Sequence, residues 1–268
     1  MDRRTCLRSL GVVGIAGAAG CLDAIPGVGA ERADGAILAQ PDNPYNPETA
    51  HPIYGDEVPS FSVPNLEGEE ITPETFEDER PFFITFIYTQ CHDDACPALL
   101  QQLQYVQDAA QEGGYEDDVA FVAVTFDPDR DTPEVLREFA DNFGVDHESD
   151  YWHFLRPEEY LEGRDMLNEK FSLGICRDDE DCSHLSDVHD EDDANDHDHN
   201  GEEDNADDEG DEGDHDHYHF SHANLILLVN ENGIVERAYP TRDTREDTEM
   251  FLDNPQELVD DLEAVLEG

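Results

Sequence analysis

Two cysteines, Cys91 and Cys96, are the residues of this chain best suited to chemistry. They follow a β-rich apolar run at 82–89, and a proline and a stretch with helical periodicity come directly after them. The partial positive charge at a helix N-terminus favours thiolate over thiol. Such a pair can exchange disulfides or, with a nearby imidazole, hold copper as Cu(I) or Cu(II). A structural disulfide is the simpler alternative, but a strand-to-helix turn is typical of a functional position.

Alternating strands and helices must position these cysteines. Apolar runs at 82–89 and 119–126 predict strands buried on both faces, and residues 97–111 have the apolar spacing of a helix. Thr132 as N-cap and Pro133 at the first helical position predict a helix to residue 143. We also expect a hairpin region (58–61, 72–76), a strand (152–155), a helix (157–171), a hairpin (223–229, 234–239) and a closing helix (257–266). This order predicts an α/β fold, a thioredoxin-like sandwich with a central mixed sheet.

The N-terminal residues indicate export and a lipid anchor. Arg3 and Arg4 resemble a twin-arginine signal, and the apolar run at 10–20 is too short to span a bilayer. Residues 18–21 read AAGC and resemble a lipoprotein cleavage site, so Cys21 is the expected lipidation site; an ordinary signal peptide is the alternative. We therefore predict a signal at 1–21, a flexible stalk at 22–56, a folded domain at 57–268, and localisation at the extracytoplasmic face of the cell membrane.

The charge of the chain is extremely negative. It has 69 acidic and 14 basic residues, and Lys170 is its single lysine. Residues 178–218 hold 21 of the acids, but 48 remain elsewhere, so the excess is global. Because concentrated salt screens such repulsion, the composition indicates a halophilic protein. Binding to nucleic acid or to an anionic membrane surface is disfavoured, since both need basic patches.

A long polar tract interrupts the predicted domain. Residues 177–218 contain almost nothing that can be buried, so we expect a disordered acidic, His-rich insertion. Its histidines either capture divalent metal weakly or belong to a solvated loop; they are His184, His189, His197, His199, His215, His217 and His219. Cys176 and Cys182 near its start are expected to form a local disulfide, with a second thiolate site as the alternative.

Four motifs, in order, resemble the SCO/SenC family: FIYTQC at 86–91 with CP at 96–97, FDPDRDTP at 126–133, WHFL at 152–155, and His222 before an apolar strand. Members of that family are membrane-anchored copper chaperones with a thioredoxin fold, which help to build the dinuclear copper centre of cytochrome c oxidase subunit II. They hold the metal with two cysteines and one distal histidine, which map onto Cys91, Cys96 and His222. The family usually has three residues between its cysteines, whereas this chain has four.

Other residues near these motifs have open roles. His219 is the main competitor of His222 as third ligand, and His92 is either an auxiliary ligand or an exposed loop residue. Asp127, Arg130 and Asp131 either form a local turn and helix start or support the metal site from a neighbouring position.

The resemblance implies a copper metallochaperone whose partner is cytochrome c oxidase subunit II or a similar acceptor, and not an enzyme. The alternative function is thiol–disulfide exchange, with Cys91 as the attacking thiol and Cys96 as the resolving one. Oxidoreductases of this fold use a proline opposite the cysteines, but no proline lies between Pro157 and Pro240. A peroxide-reducing thiol enzyme is a third option. Copper delivery and reduction of the target's thiols use the same pair and stay open.

Overall fold

The computed structural model describes residues 32–41, 50–91, 95–181, 218–241 and 254–268. The strands are β1 (Val63–Pro64), β2 (Glu70–Ile71), β3 (Phe82–Ile87), β4 (Ala120–Thr125), β5 (Trp152–Leu155), β6 (Cys176–Arg177), β7 (Phe220–Ser221), β8 (Asn224–Val229) and β9 (Val235–Thr241). The α-helices are α1 (Ala95–Gly113), α2 (Pro133–Asn142), α3 (Tyr160–Phe171) and α4 (Pro255–Glu267).

A five-stranded mixed sheet forms the centre of the domain, in the order β5-β4-β3-β8-β9. β3, β4 and β5 are parallel, while β8 is antiparallel to both β3 and β9. In the register, Ile87 lies beside Thr125, and Thr85 lies beside Ile226. The carboxyl ends of β3 and β4 therefore meet the amino end of β8 at one edge of the sheet. The predicted α/β fold with a central mixed sheet is confirmed.

The core surrounds the three inner strands of this sheet. Every residue of β3, β4 and β8 is buried, as expected for strands covered on both faces. Helix α1 packs against β3, β8 and α4. From α3, the ring of Phe171 lies 4.8 Å from that of Phe86 in β3. This packing fixes the end of β3, which leads to Cys91, and the start of β8, which directly follows the segment with His222.

The element boundaries agree with most of the predicted ones. Helix α2 begins at Pro133, and the hydroxyl of Thr132 accepts a hydrogen bond from the Val135 N–H, as expected of an N-cap. The N-terminal hairpin differs from its prediction, because β1 and β2 lie at 63–64 and 70–71 and residues 73–75 form a 3₁₀ helix. The side chain of Asn65 accepts N–H bonds from Glu67 and Glu69, which places the turn between them.

Part of the expected stalk is packed on the domain. Glu236 is fully buried, and its carboxylate accepts hydrogen bonds from the Ile37 and Leu38 N–H groups at 2.6 and 2.9 Å. The hydroxyl of Tyr54 also donates to the Leu38 carbonyl. Residues 32–41 and 50–56 therefore differ from the flexible stalk predicted for 22–56. A buried glutamate in a distant strand provides the contacts, and the composition of the stalk carries no sign of them.

The ends of the acidic insertion are also ordered. Arg177 of β6 pairs with Phe220 of β7, and Tyr218 is buried. The disorder predicted for 177–218 is therefore wrong for residues 177–181 and 218. The remaining part of that prediction, together with the signal, the lipidation site Cys21 and the auxiliary candidate His92, lies outside the described residues. None of the described helices has the length and hydropathy needed to cross a bilayer.

Candidate metal centre

The two thiols lie where β3 leads into α1. The Tyr88 N–H donates to Cys96 Sγ at 3.4 Å, and the Cys96 N–H donates to Cys91 Sγ at 3.3 Å. Neither cysteine forms a disulfide; Cys96 is fully buried, whereas Cys91 is partly exposed. Each sulfur thus accepts a backbone N–H bond, Cys96 from the residue that follows β3 and Cys91 from the first turn of α1, and such donors favour negative charge on sulfur.

The imidazole belongs to His222, which lies two residues before β8, the strand antiparallel to β3. The ring of His222 lies 4.8 Å from the ring of Phe126 and 5.7 Å from that of Tyr88. Its Nδ1 lies 3.3 Å from the Ala223 carbonyl oxygen. A proton on Nδ1 would satisfy this contact and leave Nε2 as the ligand atom, the usual way in which a second hydrogen bond selects the tautomer of a metal-binding histidine.

The structure brings the three predicted ligands together. The Sγ atoms of Cys91 and Cys96 and a ring nitrogen of His222 all lie within 4.8 Å of one another. A trigonal metal with bonds of about 2.0 Å to nitrogen and about 2.3 Å to sulfur separates its ligand atoms by about 3.5–4.0 Å. Small side-chain rotations would close the difference, so the set fits a soft metal ion. No other such group is present in the part of the chain that the structure describes, and His219 is outside this one.

A short two-stranded ribbon, β6 with β7, carries His222 to the site. Cys176 in β6 lies opposite Ser221, the residue before His222. Cys176 is disulfide-bonded. Its expected partner, Cys182, lies outside the described residues, so that pairing stays a prediction. The ring of Phe220 packs 5.1 Å from Tyr88 and 5.2 Å from Phe126, the same two rings that the imidazole contacts.

Asp131 holds the loop that leads to Cys91. Its carboxylate accepts hydrogen bonds from the Thr89 N–H at 3.2 Å, from the Thr89 hydroxyl and from the Thr125 hydroxyl. Burial raises the pKa of Asp131 to about 6, although these hydrogen bonds oppose the shift. The turn at 127–131 is therefore more than local, because it reaches a segment 42 residues away.

Sequence reasoning missed Tyr218 as a residue of this region. Its hydroxyl donates to Asp127 Oδ1 at 2.7 Å, and the Arg130 guanidinium lies 3.7 Å from its ring centroid. Burial, and then the bond to Asp127, raises the pKa of Tyr218 above its usual value. The sequence does offer one signal: Tyr218 and Phe220 are two aromatic residues, two positions apart, at the end of a tract with few apolar residues.

Comparison with known proteins gives an independent view of the chain. Residues 52–149 match the family model described as SCO1/SenC. The SCO1 protein homolog of Bacillus subtilis (strain 168) is 28% identical over 99 residues, which are 37% of this chain and 48% of that protein. The match thus spans about half the length of this relative.

Solved structures agree in fold. A SCO1/SenC family lipoprotein from Bacillus anthracis str. Ames superposes with a TM-score of 0.51 at 17% identity, covering 78% of this chain and 95% of that one. Arabidopsis thaliana ScoI with copper bound superposes with a TM-score of 0.50 at 15% identity, covering 79% and 99%. At such identities the likeness concerns the fold alone, and the fold is the predicted thioredoxin-like one. Together with the match of residues 52–149 to the family model, it confirms the resemblance of this chain to the SCO1/SenC family.

Proposed function

We propose that this protein binds one copper ion through Cys91, Cys96 and His222 and supplies it to the dinuclear copper site of a terminal cytochrome oxidase. The observation that carries the proposal is the convergence of two sulfurs and one imidazole nitrogen within 4.8 Å. The match to the SCO1/SenC family model supports it. So does a solved structure of the same fold, Arabidopsis thaliana ScoI, which is described with copper bound.

The donor set suits copper in both oxidation states. Two thiolates favour soft Cu(I), and the imidazole also suits Cu(II). Cys96 is fully buried, whereas Cys91 and His222 are partly exposed. A receiving protein can therefore approach the ion from the side of Cys91 and His222, and replace these two ligands before the buried sulfur.

We further propose where the protein acts. Lipidation of Cys21 would tether the domain at the extracytoplasmic face of the cell membrane, with cytochrome c oxidase subunit II or a similar copper acceptor as its partner. The resemblance of residues 18–21 to a lipoprotein cleavage site supports the anchor. The Bacillus anthracis neighbour is itself described as a lipoprotein.

Thiol–disulfide exchange is a second candidate function. The observation in its favour is the unequal exposure of the two cysteines, since Cys91 is partly exposed and Cys96 is buried. This is the arrangement of an attacking and a resolving cysteine. The exchange reaction needs no imidazole, however, so it leaves the position of His222 unexplained.

Anaerobic Cu(I) titration of the reduced mature domain in high salt tests the proposal. We expect one tight equivalent, lost in Cys91→Ser and in Cys96→Ser and retained in the matched control His219→Ala. Tight binding that survives either cysteine change would contradict the assigned site. Reduction of insulin at a rate comparable with thioredoxin, without tight copper binding, would favour the second candidate instead.

A further inference from the structure

We infer that Arg130 is a positioning residue for the third metal ligand, a role that rests on the proposed copper function. Arg130 precedes Asp131, whose carboxylate binds Thr89 in the segment between β3 and Cys91. Its own guanidinium contacts Tyr218, in the segment that leads into β7 and His222. Adjacent residues of one turn thus hold the sulfur half and the imidazole half of the site in register.

The contacts of the guanidinium define this role. Arg130 Nη1 donates to the Tyr218 carbonyl oxygen at 3.0 Å, and the guanidinium carbon lies 3.7 Å from the centroid of the Tyr218 ring. The distance to the Phe220 ring is 5.8 Å. A weaker contact of 3.5 Å joins Nη1 to Gln90 Oε1, beside Cys91. Most of the interaction is therefore with Tyr218, which lies two residues before β7 and four before His222.

Asp127 completes this group. Its carboxylate is fully buried, forms an ion pair with Arg130 Nε, and accepts a hydrogen bond from the Tyr218 hydroxyl, with 2.7 Å between the oxygens. When one partner of a buried charge pair is removed, the charge of the other is left uncompensated, which is strongly destabilising. The Asp127–Arg130–Tyr218 cluster is thus a strong attachment of the ribbon to the end of β4.

Movement of the ribbon would move the imidazole. Phe220 packs on Tyr88 and Phe126, and the His222 ring packs on the same two side chains one residue after β7 ends. Other attachments remain when Arg130 is lost, among them the pairing of β6 with β7, the hydrogen bond from the Tyr218 hydroxyl to Asp127 and that from the Ala223 N–H to the Leu173 carbonyl. We therefore expect a partial loss of metal affinity.

The test is a double-mutant cycle between Arg130→Gln and His222→Ala, measured by Cu(I) competition with a chromophoric chelator in high salt. Arg130→Gln should weaken Cu(I) binding about tenfold. In the His222→Ala background the same change should have almost no effect, because the arginine acts through the imidazole. Arg137→Gln is the matched control: it makes the same charge change in α2, where its side chain is 37% exposed and paired with Glu67.

The outcomes separate the inference from the proposed function. If the wild type binds no tight Cu(I), or His222→Ala leaves affinity unchanged, the proposed function is wrong. If those two behave as proposed but Arg130→Gln matches Arg137→Gln, or weakens binding equally in both backgrounds, only the inference is wrong. Should Arg130→Gln fail to fold, Arg130→Lys decides, since it keeps the positive charge beside Asp127 and loses the planar guanidinium that contacts the Tyr218 carbonyl and ring; it should lower affinity only when His222 is present, and equal affinity to wild type would contradict the inference.

Discussion

The pH dependence of stability should report the burial of Asp131. This carboxyl group lies behind the thiol loop, is fully excluded from solvent, and has a pKa raised from 3.8 to about 6 mainly by burial. Its hydrogen bonds from Thr89 and Thr125 favour the charged form, so the two effects compete. Asp131→Asn keeps the size of the side chain and removes the titration.

The direction of the stability change with pH depends on which state, folded or unfolded, binds the Asp131 proton more tightly. The folded protein holds the Asp131 proton up to about pH 6, whereas the unfolded chain releases it near the usual value of 3.8. The group therefore contributes stability fully below pH 3.8, and this contribution is lost as the pH rises through about 6. The shift is about two pH units, and at about 1.4 kcal/mol per unit the total is about 3 kcal/mol.

Denaturant unfolding in high salt, followed by circular dichroism, measures this effect. Between pH 4.5 and pH 7, both above the sequence pI of about 4.1, the wild type should lose about 2 kcal/mol of unfolding free energy relative to Asp131→Asn. The comparison between variants cancels the titration of the other carboxylates. A difference that stays constant would show that the hydrogen bonds cancel the effect of burial on the Asp131 pKa, and a change in the opposite direction would show that they outweigh it; either result would refute the argument.

Three further changes test other parts of the structure. Glu236→Ala should cost about 2–4 kcal/mol, because one buried and one partly buried N–H group lose their acceptor, and should speed hydrogen exchange at Ile37 and Leu38; unchanged exchange would contradict the packing of residues 32–41. Cys176→Ser should speed exchange at the Asp178 N–H, which bonds to the His219 carbonyl; equal rates would mean that the disulfide does not stabilise the ribbon. Raising salt from 0.1 to 1 M should raise the denaturation midpoint, since screening shortens from about 10 to about 3 Å; a lower midpoint would refute the halophilic interpretation.

Much of the fold could be predicted because its signals are local. The apolar runs that became β3 and β4 need no partner to be recognised, and Thr132 with Pro133 marks the start of α2 by its own chemistry. The N-terminal hairpin was misplaced since strands of two residues carry too little periodicity. Its position depends on the Asn65 turn, which propensity alone does not locate.

Part of the site could be predicted for the same reason. The position of Cys91 and Cys96 between a predicted strand and a predicted helix identifies them as candidates, whereas His222 was assigned through resemblance to a family. Tyr218 escaped notice because its hydrogen bond to Asp127 spans 91 residues, and the average composition of the acidic tract conceals one buried aromatic side chain. Glu236 likewise has no local sign of its partners, which lie almost 200 positions earlier.

X-ray absorption spectroscopy of the Cu(I)-loaded protein tests the central claim most directly. We predict two sulfur neighbours at about 2.3 Å and one nitrogen neighbour at about 2.0 Å. His222→Ala should remove the nitrogen contribution, while the matched variant His219→Ala should leave the spectrum unchanged. A nitrogen neighbour that persists in His222→Ala and disappears in His219→Ala, or a spectrum without two sulfurs, would contradict the assignment of Cys91, Cys96 and His222.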